Sequence, residues 1–138
     1  MQLEWAMIAE AVQLREGLAY ILGGGIDTVT AAELPARLTA SVLVRLHVRR
    51  TEADRLHLIE ARILDEDGQQ LAQMHGHAQP RLPDDLPIGW DVPLMMNFPI
   101  HNLQLARASR YSIEILGDGL HLKSLNFRVQ LVSPARPA

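Results

Sequence analysis

At 138 residues, with a net charge of −3 and no cysteine, the chain is sized for one domain around one core. The missing cysteine excludes a disulfide framework, thiolate zinc sites and a cysteine nucleophile. No basic block is present to neutralise several phosphates, no apolar run approaches the roughly 20 residues of a membrane helix, and the N-terminus lacks a basic leader; a cytoplasmic protein without nucleic-acid or membrane partners is expected.

Residues 3 to 14 carry two patterns. A helical spacing runs through Leu3, Met7, Glu10 and Leu14, and a strand alternation puts Leu3, Trp5, Met7, Ala9 and Ala11 on one face with Ile8 opposite. The strand is favoured, because Arg15-Glu16-Gly17 reads as a turn returning into the apolar run Leu18 to Leu22. That run is expected to be a core strand. It feeds Gly23, Gly24 and Gly25, followed by β-branched Ile26, Thr28, Val29 and Thr30.

Leu38 to Arg49 alternates cleanly, with Val42, Val44, Leu46 and Val48 on one parity and Leu43, Arg45, His47 and Arg49 on the other, as an antiparallel strand with one wet face does. Residues 55–64 and 69–78 form a hairpin through Asp65-Glu-Asp-Gly68, Gly68 supplying the positive φ of the turn. Two registers compete. One pairs Ala61 with Met74 inside and Glu60 with His75 outside; the other sets His57 opposite His77. Since a slip by one residue exchanges faces, the burial of Met74 separates them.

Residues 79 to 93, with four prolines and a glycine, are a long connector carrying Leu82, Leu86, Ile88 and Trp90. A strand through Leu94, Met96, Phe98 and Ile100 follows, suited to an edge by Pro99. The last hairpin joins Tyr111–Leu116 to Leu120–Leu131 through Gly117-Asp-Gly119, and a parity change near Ser124 predicts a bulge. Residues 1–132 are expected to be the domain and 133–138 a loose tail. About eight short strands without a long helix predict an all-β, antiparallel β-sandwich, immunoglobulin-like or C2-like, with an open barrel as the alternative.

Few residues suggest chemistry. The glycine triplet lacks the lysine and hydroxyl of a phosphate loop, and Thr28 stands where a dinucleotide fingerprint needs its third glycine; a bend or a change of sheet explains it better, and Gly24→Val is expected to destabilise the fold. His75 and His77, two apart on one strand, are weak metal candidates, for want of a third ligand fixed by spacing. Asp65, Glu66 and Asp67 lack calcium-loop spacing. Asp84, Asp85 and Asp91 could pair for acid–base work, though exposed loop charges explain them as well. No nucleophile elbow occurs, and no cofactor is expected. Trp90, with Leu86, Ile88, Met95 and Met96, either plugs an end of the sandwich or offers large adaptable contacts to a partner.

At Trp5-Ala-Met-Ile-Ala-Glu-Ala-Val-Gln13, Tyr20-Ile-Leu-Gly-Gly-Gly-Ile-Asp27, Leu64-Asp-Glu-Asp-Gly68 and Tyr111-Ser-Ile113, the chain resembles a family of uncharacterised small bacterial proteins, a domain of unknown function. The resemblance spans most of the chain but rests on turn and strand patterns, so it implies a small bacterial domain and gives no residue a role. The expected function is non-catalytic: protein binding or self-association through an edge strand or the Trp90 connector. The alternative is a small-molecule or metal-binding domain using the His75/His77 face, which requires a deep polar pocket.

Overall fold

The computed structural model describes residues 1–133, so the expected tail lies outside the described residues apart from Ser133. The described chain forms nine strands: β1 (Gln2–Arg15), β2 (Leu18–Gly24), β3 (Thr28–Ala31), β4 (Ala36–Val48), β5 (His57–Leu64), β6 (Gln70–Ala78), β7 (Val92–Leu105), β8 (Arg110–Gly117) and β9 (Leu120–Leu131). They make two sheets. Sheet A runs β2-β1-β4-β7 and sheet B runs β3-β9-β8-β5-β6. Their inner faces enclose one core, so the molecule is a β-sandwich. It is not wholly antiparallel, because β3 runs parallel to β9.

The core follows from strand parity. Leu38, Ala40, Val42, Val44 and Leu46 of β4 face Ile59, Ala61 and Ile63 of β5 and Ile113 and Ile115 of β8, all buried in one cluster. Ala61 pairs with Met74 and Glu60 with His75, and Met74 packs against the core, which settles the register. The turn itself is a three-residue loop closed by Asp65 N to Gln69 O and Gly68 N to Asp65 O. A register shift between Ile63 and Leu64 then restores the pairing of a two-residue turn. Tyr111, near the start of β8, donates its hydroxyl to Arg107 O at 2.7 Å, the corner arrangement of many Greek-key sandwiches.

Bulges change faces where simple alternation fails. In β1 a shift between Leu3 and Trp5 turns Leu3, Ala6 and Ile8 toward the core and leaves Trp5 and Met7 on the other side. The expected one-face set from Leu3 to Ala11 is therefore corrected: Ile8 is the core residue. In β9 the irregularity falls opposite Ile115 and Leu116, around His121 to Lys123, slightly before Ser124. Leu122 and Leu125 both reach the core because of it.

The run Leu18 to Leu22 is not a core strand. Leu18, Tyr20 and Leu22 are 60%, 49% and 69% exposed, because β2 pairs only with the distal half of β1 at the end of sheet A. Beyond it the glycines carry the chain from sheet A to β3 in sheet B. Gly23 and Gly25 have φ of 61° and 84°, a region that costs other L-residues energy. Gly24 has ordinary backbone, and a Cβ there would stand 3.0 Å from Met7 Sδ and 3.1 Å from Ile21 Cγ2. At Gly23 a Cβ would overlap Glu10 Cγ at 2.6 Å. Gly23→Val is therefore expected to destabilise more than Gly24→Val, by about 2 kcal/mol or more in denaturant unfolding.

Candidate interaction surface

β4 pairs with β1 only from Gln2 to Ala9, and β2 pairs with β1 only from Ala9 to Arg15. Residues 10–24 therefore form a two-stranded arm outside the rest of sheet A. Leu14 lies five residues past Ala9, whose partner in β4 is Ser41, while Arg45 lies four residues the other way. In a flat sheet they would be about 30 Å apart. Yet Leu14 and Gly17 share a cleft of about 270 Å³ with Arg45, Pro93 and Met95. The arm is folded back across the outer face of sheet A.

Burial supports the same geometry. Leu43 pairs with Met7 and Asn97 on the face of β4 turned away from the core, yet it is 0% exposed. Val12 pairs with Ile21 and Leu14 with Ala19, which places these four on one face of the arm. Val12, Ala19 and Ile21 are half-buried. This face covers Leu43. The opposite face carries Arg15, Leu18, Tyr20 and Leu22 into solvent, with the Arg15 guanidinium 5.3 Å from the Tyr20 ring centroid.

The other sheet edges are blunted. Pro93 and Pro99 sit in β7, β3 is four residues long, and β6 meets β7 where Met96 fills the space beside Gly76. Proline, shortness and coverage are common protections against stray strand pairing. β2, Leu-Ala-Tyr-Ile-Leu-Gly-Gly, has no proline or charge, and among the described residues no strand pairs with its outer edge.

Of the two readings of Trp90, the plug is not formed. Ile88 is 99% and Trp90 63% exposed, and Leu86 is half-buried. The connector is held by its backbone: Arg50 donates to Trp90 O at 3.1 Å, Leu86 O at 2.8 Å and Pro87 O. Met95 and Met96 point to opposite faces, Met96 toward the core and Met95 toward the cleft beneath the arm. Trp90 instead borders an open cleft with Glu4, Arg45, His47 and Asp91. Glu4 there accepts from Arg45 Nε at 2.5 Å and from His47 Nε2 at 2.8 Å, and the Arg45 hydrogen bond holds its pKa below the usual carboxylate value.

His75 and His77 lie exposed on β6 with ring centroids 6.2 Å apart. The nearby Glu60 carboxylate already accepts from Arg62 Nη2 at 2.8 Å and Gln73 Nε2 at 3.1 Å. Among the described residues no group of three or more histidine, cysteine, aspartate or glutamate side chains is placed to hold a metal. Asp65 accepts from the Asp67 and Gln69 amides and faces Arg107 with Asp67, so these carboxylates tie the hairpin tip. Asp84 and Asp85 are exposed. Gly68 and Gly119 take positive φ at their turns, whereas Gly117 ends β8 with ordinary backbone.

One residue of consequence was visible in the sequence only through the rejected register. His57 is 4% exposed, with Nδ1 2.7 Å from Asp118 Oδ2 and Nε2 2.7 Å from Glu52 O. A carboxylate and a carbonyl only accept, so this setting favours the imidazolium, which donates from both ring nitrogens. Burial opposes that charge, but the Asp118 and Glu52 hydrogen bonds outweigh it and raise the pKa. Asp118 is correspondingly lowered, its own desolvation outweighed by His57 and the Leu58 amide.

A family model described as a family of unknown function, DUF6941, matches residues 4–130. The chain belongs to this family. The match takes in the arm, the glycine crossover and both late hairpins, so these are parts of the family domain. None of the curated proteins compared with the chain matches it.

Proposed function

We propose that the protein is a non-catalytic binding or assembly module, and that its contact surface is the outward face and free edge of the β1–β2 arm. The observation that carries this reading is the exposure of Leu18, Tyr20 and Leu22 along one unprotected edge strand. A two-stranded ribbon is marginal alone, and this one gains support from one face only. An extended protein segment, from a second copy or another protein, would hydrogen-bond the free edge and cover the apolar row. The Trp90 connector is a second, smaller contact element near the same sheet.

The test is a Tyr20→Glu/Leu22→Lys double variant studied by sedimentation and by affinity capture against wild type. Both side chains point to solvent, so the melting temperature is expected to stay within about 2 °C. Self-association or capture of a specific partner is expected to fall at least tenfold. An unchanged assembly state with an unchanged set of captured proteins would reject the arm as the contact surface.

A further inference from the structure

On sheet B, away from the arm, Thr28 pairs with Arg128 and Arg128 with Arg110, so the three stand in one row across β3, β9 and β8. Directly opposed side chains have Cβ atoms about 5 Å apart, and like charges so placed repel. Three other arginines are neutralised, Arg45 by Glu4, Arg62 by Glu60 and Arg107 by Asp65 and Asp67. Among the described residues, no carboxylate lies within ion-pair distance of Arg110 or Arg128. Arg128 Nε donates to Thr28 Oγ1 at 3.2 Å, which orients its guanidinium while using one of its five donors. Thr28 Oγ1 in turn donates to Asp27 Oδ1 at 3.0 Å. The row lines a surface cleft of about 620 Å³ that also includes Asn126, within the size range of small-molecule sites.

We propose that Arg110 and Arg128, with Asn126, bind the phosphate group of a small phosphorylated molecule, Thr28 holding the Arg128 guanidinium in place. Two guanidinium forks and an amide offer more donors than the two oxygens of a carboxylate accept well, whereas a phosphate presents three terminal oxygens. A bound phosphate also removes the repulsion within the opposed pair. Asp27 tempers the positive charge of the cleft, so Asp27→Asn strengthens binding. The site is independent of the arm and stands or falls separately from it.

The test is a titration of amide NMR shifts with inorganic phosphate and, separately, with acetate at constant ionic strength. Expected are saturable shifts centred on Thr28, Arg110, Asn126 and Arg128 with phosphate, and a response to acetate about tenfold weaker. Arg110→Lys keeps the charge but loses the fork, and is expected to weaken phosphate binding about tenfold with an unchanged melting temperature. Shifts that do not saturate, equal binding of acetate, or full binding by Arg110→Lys would each overturn the assignment.

Discussion

Leu43→Ala is expected to cost about 3 kcal/mol in urea unfolding, as much as Ile113→Ala in the centre of the sandwich. The claim is specific because Leu43 has the parity of Arg45 and His47, and a sandwich whose outer face met water would lose well under 1 kcal/mol there. In this molecule Leu43 is fully buried on the outer face of sheet A, the face across which the arm folds with Val12, Ala19 and Ile21 half-buried on one side. Truncation leaves a void that a two-stranded ribbon anchored at one end closes only in part. Leu43→Ala and Ile21→Ala are expected to be non-additive in a double-mutant cycle, as residues that share a cavity are. Additive effects would mean that the two do not pack together.

His57→Ala is expected to cost about 2 kcal/mol, because it empties a buried site and leaves the Glu52 carbonyl without its donor, while the exposed Asp118 carboxylate is taken up by water and adds little. Its pH dependence has a definite sign. The folded pKa of His57 lies above its unfolded value near 6.5, so its contribution is complete below that value and is lost as pH rises through the folded pKa. The folded pKa of Asp118 lies below its unfolded value, so its contribution is complete above that value and is lost as pH falls through the lower folded pKa. Wild type is therefore expected to melt several degrees higher at pH 6 than at pH 9, and His57→Ala to lose most of that difference. The pair matters because it joins three pieces of chain: the turn Arg50–Glu52, the first residue of β5 and the β8–β9 turn, where Asp118 also takes the Leu58 amide at 2.9 Å.

Much of the fold could be read from the residues, for a physical reason. β4, β5 and β8 are central strands with one face on the core, and alternation reports that arrangement directly. Gly68 and the competing registers were resolved by a single quantity, the burial of Met74, because register fixes face. The reading went astray where alternation stops reporting the core. Leu18 to Leu22 has the composition of a core strand but lies on an arm, and composition is blind to whether a neighbour exists. Size and apolarity suit Trp90 to a plug, yet Arg50 holds the connector by its carbonyls and leaves the indole outside. The β1 faces were misassigned because the bulge at Leu3 and Trp5 has no glycine or proline to announce it. His57 has no local signature either, since both its partners come from other segments, one of them sixty-one residues away. The Thr28–Arg128–Arg110 row is of the same kind: it depends on the parallel pairing of β3 with β9, which an antiparallel reading does not contain.

The arm returns the glycine stretch to prominence in a different role. Gly23 to Gly25 let the chain leave a ribbon folded over sheet A and enter sheet B, and that detour leaves Leu18, Tyr20 and Leu22 facing outward. The most direct measurement is amide hydrogen exchange across Leu18–Gly24, compared between the isolated monomer and the assembled or partner-bound protein. The account predicts rapid exchange of the outward-facing β2 amides in the monomer and clear protection in the complex. Equal exchange of β2 in both states, with new protection appearing elsewhere, would contradict it.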